Sequence, residues 1–218
     1  QKDDMLGDGL QGDTFGFFEA SSMRKIGDTY VFVYSRNGKS SEPTGSNYNQ
    51  LGYATSKSPL GPWTFGGILV DAQGEVLNGG GRTFAGGNTH GSLVQLGDQW
   101  YITYHRNVET YARQAMVDPV EVTYDENGNL KISMAEVTSK GFYVNGLNPY
   151  AKGSIGTACF MTGNGKIQPL YEHDVESLPV INLRSNSVVG LKYFDFNTEA
   201  PAGSSISLAI DLIPRGQN

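Results

Sequence analysis

The chain has 218 residues, among them 29 Gly, 12 Tyr, 10 Phe and 2 Trp, and only 17% are charged, a profile of short strands joined by tight turns. Its net charge of −6 and the lack of any Lys/Arg run exclude a phosphate-tracking surface, because nucleic-acid affinity needs clustered cations; an uncharged partner fits better. The one cysteine, Cys159, permits neither an intramolecular disulfide nor a thiolate metal cage, and no apolar run approaches the roughly 18 residues that cross a bilayer.

In chain order, the first predicted element is a hairpin over Met23–Asn37, with Gly27-Asp28 as its turn and alternating aromatic or β-branched residues on either side. Two further strands follow, Gln50–Ser56 and Trp63–Val70. The segment between them, Ser58-Pro59-Leu60-Gly61-Pro62, has prolines that forbid helix and favour a turn. Leu93–Asn107 then repeats the first hairpin: Gly27/Gly97, Asp28/Asp98, Tyr34/Tyr104, Arg36/Arg106 and Asn37/Asn107 recur at one fixed offset. Such repetition reports a repeated structural unit. Strands are next expected at Ala112–Val117, Val120–Tyr124 and, after the turn Asp125-Glu126-Asn127-Gly128-Asn129, at Leu130–Ala135. No segment of useful length has the 3.6-residue apolar period of a helix. The pattern is all-β, and four strands per repeat is the arithmetic of a β-propeller blade, although a stacked sandwich would give similar counts.

Past Gly141 the character changes. Asn145-Gly146-Leu147-Asn148-Pro149 reads as a linker, with short strands expected at Thr157–Met161, Val188–Phe196 and Ser205–Leu212. This divides the chain into residues 1–144 and 145–218, the second being the beginning of a β-sandwich that needs roughly 100 residues to complete.

Two positions suggest chemistry. Glu19 lies just before the first hairpin with Phe15, Phe17 and Phe18 around it; a carboxyl against apolar walls has its charged form disfavoured, as a general acid requires, while a surface glutamate at a strand start is the plainer reading. His90 follows Ala20 by one repeat, so in a propeller both side chains would converge on the central channel. His105 and His173 have weaker contexts, and His105 reads as one residue of an alternating strand. No His-x-x-x-His or Cys-x-x-Cys metal spacing occurs, and the Gly-rich stretch 78–87 does not follow a strand and open a helix as a phosphate cradle must.

Taken together, Gly16–Tyr30, Leu51–Thr64, Asn88–Arg106 and Ala112–Val120 resemble, in order, segments of glycoside hydrolase family 43, whose members are five-bladed propellers. The resemblance implies that Glu19 is the general acid and that His90 is the channel histidine helping to hold a hydrated calcium ion or a water cluster. It implies that Arg113 contacts the sugar in the cleavage subsite, with Phe18 beside it as a substrate-binding residue; a structural salt bridge is the other reading for Arg113. The expected substrates are oligo- or polysaccharides bearing arabinofuranosyl, xylosyl or galactosyl units, cleaved with inversion, which needs a second carboxylate roughly 6.5–9.5 Å from the acid.

Asp3, Asp4, Asp8 and Asp13 do not stand in the family's context for that base, so the base is expected on a missing upstream segment, with the last three blades present here and the isolated chain inactive. A non-catalytic, lectin-like propeller is the alternative. The first residues carry no signal-peptide pattern and do not look like a natural start; secretion or a periplasmic location follows only from the resemblance. Ser187–Phe196 is similar to the start of family 6 carbohydrate-binding modules, where Tyr193, Phe194 or Phe196 would either stack on a sugar or fill the core.

Overall fold

A computed structural model describes residues 15–37, 50–72, 89–108 and 113–196 (without 139, 144, 164 and 170–177), together with 203, 205, 207, 209, 210 and 212. The first unit is a four-stranded antiparallel meander of β1 (Phe17–Ile26), β2 (Thr29–Arg36), β3 (Gln50–Ser56) and β4 (Thr64–Asp71), each strand bonded to the next. The second begins with β5 (Gly91–Leu96), β6 (Gln99–Asn107) and β7 (Arg113–Val120). Both repeated hairpins form as expected, pairing Ile26 with Thr29 and Leu96 with Gln99. Gly27 and Gly97 open the turns at φ 55° and 60°, a conformation that glycine adopts without steric cost.

After Val120 the third strand of the second unit bends at Glu121 and continues as β8 (Val122–Tyr124), which pairs with β9 (Leu130–Ile132). The bend is held by the Ser133 N–H bonded to the Glu121 carbonyl and the Glu121 N–H bonded to Ser133 Oγ, both at 2.9 Å. Among the described residues no fourth strand pairs with β7, and Pro119 lies in that edge, where a missing N–H costs least. Among the described residues the strands up to Ile132 thus form the four-stranded sheet β1–β4, the three-stranded sheet β5–β7 and the separate two-stranded sheet β8–β9.

The alternation of each strand divides its side chains between two cores. Val31 and Val33 of β2, Leu51 and Tyr53 of β3 and Leu69 of β4 meet Leu93, Ile102 and Tyr104 of the second blade in one cluster. The opposite face of the first blade gathers Phe15, Phe32, Tyr34, Ala54 and Trp63, so this blade is apolar on both sides. The hairpin β8–β9 closes the outer rim: Leu130 and Ile132 join the first cluster, and the Ile132 N–H donates to the Tyr53 hydroxyl at 3.0 Å.

From residue 145 onward the strands are two residues long: β10 (Phe160–Met161) with β13 (Val189–Gly190), and β11 (Lys166–Ile167) with β12 (Val180–Ile181). The strand expected over Val188–Phe196 shrinks to β13 plus one bridge between Phe194 and Leu147, since Tyr193 takes φ 64° and cannot continue an extended run. Where Thr157–Met161 is expected as strand, Ile155–Thr157 is a 3₁₀ turn and only Phe160–Met161 is extended. In the span 205–212, residues 205, 207, 209, 210 and 212 are described and none is in a strand.

This segment shares the blade core through Ala158, Met161 and Ile167. Arg106, fully buried, donates from Nη1 to the Ala158 carbonyl and from Nη2 to the Gly156 carbonyl, each at 2.9 Å. Cys159 is buried as expected.

Two outcomes follow. A Cβ on Gly91 would stand 2.5 Å from Leu51 Cδ1 and 2.6 Å from the Thr103 carbonyl oxygen, the latter backbone that cannot yield. Gly91→Ala is expected to cost about 1–3 kcal/mol in denaturant unfolding. Asp118, buried while accepting from the Tyr104 hydroxyl and the Thr138 N–H at 2.7 Å each, has its carboxyl pushed above 3.8 by burial. A raised native value means that the native state holds this proton more tightly, so the stability Asp118 supplies is complete below 3.8 and is lost as pH rises through the folded value. The stability difference between the wild type and Asp118→Asn should therefore fall with rising pH above 3.8 and then level off.

Candidate active site

The inner strands of the two blades run side by side. Ser22 Oγ lies 2.8 Å from Ser92 Oγ, and Arg24 donates from Nε to the Leu93 carbonyl at 2.9 Å and from Nη2 to Ser92 Oγ at 2.6 Å. One end of this seam carries Glu19 near the start of β1 and His90 just ahead of β5. Their side chains, 71 positions apart in sequence, meet at 2.9 Å between Glu19 Oε1 and His90 Nε2. The pair shares one hydrogen: either a protonated carboxyl donates to the bare ring nitrogen, or the ring N–H donates to the carboxylate.

Glu19 owes its direction to a break in the ladder. The β1–β2 register shifts on both sides of it, between Phe17 and Glu19 and again between Glu19 and Ser21, while Ala20 takes φ 45°. Such bulges re-aim a side chain. The Glu19 side chain is 39% exposed and has an imidazole for a partner, where the sequence suggested apolar walls; Phe15 and Phe17 pack with Phe32 and Tyr34 in the second cluster of the blade. Phe18 is 45% exposed beside it.

His90 is gripped from β6. The His105 N–H donates to the His90 carbonyl at 3.3 Å, the His90 N–H donates to His105 Nε2 at 3.2 Å, and the rings meet edge to face with centroids 5.1 Å apart. The adjoining Thr89 is buried; its carbonyl accepts from Ser35 Oγ of the first blade, and its hydroxyl donates to the His105 carbonyl. Burial pushes the His105 imidazole below 6.5, and the nearby His90 and Arg113 add to this. Arg113 begins β7 opposite Asn107 and is exposed, so its charge lies at the same end of the sheet as the two histidines.

Sequence reasoning passed over His105, because alternation says which face a residue occupies and not what it touches there. His173, the Gly-rich stretch 78–87 and Asp3, Asp4, Asp8 and Asp13 lie outside the described residues.

A calcium ion takes roughly six to eight oxygen ligands. Among the described residues no three His, Cys, Asp or Glu side chains gather to hold a metal directly, and Glu19 and His90 face each other. Further along the chain, Tyr193 donates to Glu136, which pushes its hydroxyl up to about 12, and Lys140 Nζ sits 5.5 Å from its ring centroid.

Comparison with known proteins gives a consistent picture. The family described as Glycosyl hydrolases family 43 matches residues 2–128, more than half of the chain. A xylosidase/arabinosidase of Thermoclostridium stercorarium is 30% identical over 213 residues, covering 87% of this chain and 42% of that protein. A beta-xylosidase of Xylanibacter ruminicola is 32% identical over 123 residues, covering 55% of this chain and 32% of that protein. Among solved structures, a Bacillus subtilis family 43 arabinoxylan arabinofuranohydrolase in complex with cellotetraose is similar at TM-score 0.44 and 24% identity, over 70% of this chain and 31% of that one. The chain thus spans less than half the length of these relatives.

The bulge at Ala20 is testable. At an ordinary strand position stability rises from Gly through Ala to Val, whereas a left-handed alanine carries roughly 1–2 kcal/mol of strain that glycine does not. Ala20→Gly should be within about 1 kcal/mol of the wild type or more stable, and Ala20→Val should lose about 1–3 kcal/mol, read by thermal and denaturant unfolding. The ordinary strand ranking would contradict the bulge.

Proposed function

Because the chain belongs to glycosyl hydrolase family 43, we propose that it is part of an enzyme removing terminal or side-chain arabinofuranosyl, xylosyl or galactosyl units from plant-type polysaccharides by inverting hydrolysis. The observation that carries this is the contact of Glu19 with His90 at the seam of two adjoining blades, with Arg113 on the same sheet end. In this reading Glu19 is the general acid. It delivers its proton to the glycosidic oxygen as the bond breaks, and His90 holds the carboxyl in the orientation that does so. Arg113 offers a fixed fork of N–H donors to the sugar hydroxyls, and the exposed ring of Phe18 supplies an apolar wall next to the acid.

Inversion requires a carboxylate on the far side of the sugar to activate water. The reading assigns it to polypeptide outside residues 1–218. Asp118, whose two oxygens are committed to Tyr104 and Thr138, is not available for the task. The segment from residue 145 is read as the beginning of a carbohydrate-binding sandwich, and a secreted or periplasmic location suits a polymeric substrate.

The test is hydrolysis by the intact gene product and its Glu19→Gln variant. General acid catalysis contributes roughly 10²–10⁴-fold, so the variant should lose about that much on unactivated disaccharides and far less on aryl glycosides, whose leaving groups need little protonation. Equal rates on both substrate types in variant and wild type would remove Glu19 from the mechanism. Sugar binding without turnover by the intact product would make the protein a lectin. Residues 1–218 alone are expected to hydrolyse neither substrate.

A further inference from the structure

His90 stands one residue before β5, where the register of the β5–β6 ladder sets it opposite His105. Both of its backbone groups are satisfied by that residue: the carbonyl accepts from the His105 N–H, and the N–H donates to His105 Nε2. The second contact fixes the chemistry of the ring. A nitrogen that accepts a hydrogen bond carries no proton, so the hydrogen of a neutral His105 must sit on Nδ1. The opposite tautomer would set two N–H groups head to head at 3.2 Å, and an imidazolium would do the same. Nδ1 is itself buried and meets no acceptor among the described residues, so this tautomer holds an unpaired N–H there in exchange for the bond at Nε2.

We propose that His105 is a positioning residue: as its Nδ1–H tautomer it holds the backbone and ring of His90, and through His90 it aims the Glu19 carboxyl. The effect passes by two contacts, His105 to His90 and His90 to Glu19, without His105 touching the carboxyl. The edge-to-face packing of the two rings sets the plane of the His90 imidazole and hence where its Nε2 lies. The catalytic half of this inference rests on the proposed role of Glu19, whereas the tautomer and the grip on His90 do not.

The first measurement uses the full chain labelled with ¹⁵N, at about pH 8.5, where free imidazoles are neutral. Long-range ¹H–¹⁵N spectra should report the His105 proton on Nδ1; a proton on Nε2 overturns the proposal whatever any variant does. Two variants then test the grip. His105→Phe keeps a ring but removes the acceptor, and the His90 amide should exchange at least about tenfold faster while β2 and β3 amides keep their protection. His105→Gln can present an oxygen where Nε2 stood and should restore His90 protection to within about threefold of the wild type.

Unchanged His90 exchange in the Phe variant overturns the proposal, as does failure of Gln to restore it in a chain that folds. In the intact gene product, His105→Phe should lower kcat by about tenfold with KM little changed, and Gln should recover it. A Glu19→Gln enzyme that keeps full activity would end the acid reading and leave the spectroscopic result standing.

Discussion

Every feature of the site depends on the seam where β1 and β5 lie together. Two kinds of force hold it. Behind the strands, aliphatic and aromatic side chains from both blades share one dry cluster, the main source of free energy because each fully buried Leu, Val or Ile contributes roughly 1.5–3 kcal/mol. In front, Arg24, Ser22 and Ser92 form a polar clip whose bonds are each worth only about 1 kcal/mol. The clip is weak as a source of stability but strong as a specification, because it fixes which residue of β1 faces which residue of β5. A slip of one position would turn Glu19 away from His90 even if the apolar cluster survived.

The seam is backed by a second anchor on the middle strand of the second blade. Arg106 carries its charge into the interior and meets the Gly156 and Ala158 carbonyls, with Gln114 Oε1 accepting from its Nε at 2.7 Å. Burial costs the cation enough to bring it down to about 10, and only partly do Tyr104, Cys159 and Asp118 offset this. A guanidinium has five donors in a rigid fork and can satisfy three acceptors that a lysine could not reach together. The carbonyls it uses are offered by the 3₁₀ turn at Ile155–Thr157 and its cap, so the segment after residue 145 is tied to the blade by its backbone. The apolar cluster crosses the 144/145 boundary for the same reason: a run of two-residue strands cannot bury its own side chains and leans on the sheet beside it.

How much of this could be read from the sequence differs from residue to residue. The hairpins could be read, since Gly-Asp turns and alternation are local signals, and the fixed offset between the two copies set Glu19 and His90 at equivalent blade positions, though it did not foretell their contact. The bulge at Ala20 could not be read, because an alanine gives no sign that it will take φ 45°; only the ladder's need to turn the glutamate reveals it. His105 was seen as part of an alternating strand, and its grip on His90 depends on a contact across 15 positions that alternation does not encode. Beyond residue 145 the aromatic alternation of Val188–Phe196 promised a strand, yet Tyr193 turns left-handed and bonds Glu136, a tertiary contact overriding a local preference.

The 2.9 Å contact also restricts what His90 can do in the proposed reaction. An inverting enzyme keeps its acid and base roughly 6.5–9.5 Å apart, because a sugar ring and a water molecule must fit between them. A group in hydrogen-bond contact with the acid stands on the acid's own side of the glycosidic bond and has no line to the opposite face of the ring. His90 is therefore excluded as the residue that activates water, although an imidazole is otherwise a competent base. What remains for it is to share the hydrogen of Glu19 and hold the carboxyl in one orientation. This matches how the fold invests in it: the histidine sits at the end of a ladder, braced by a second ring, while the left-handed Ala20 lies beside the acid.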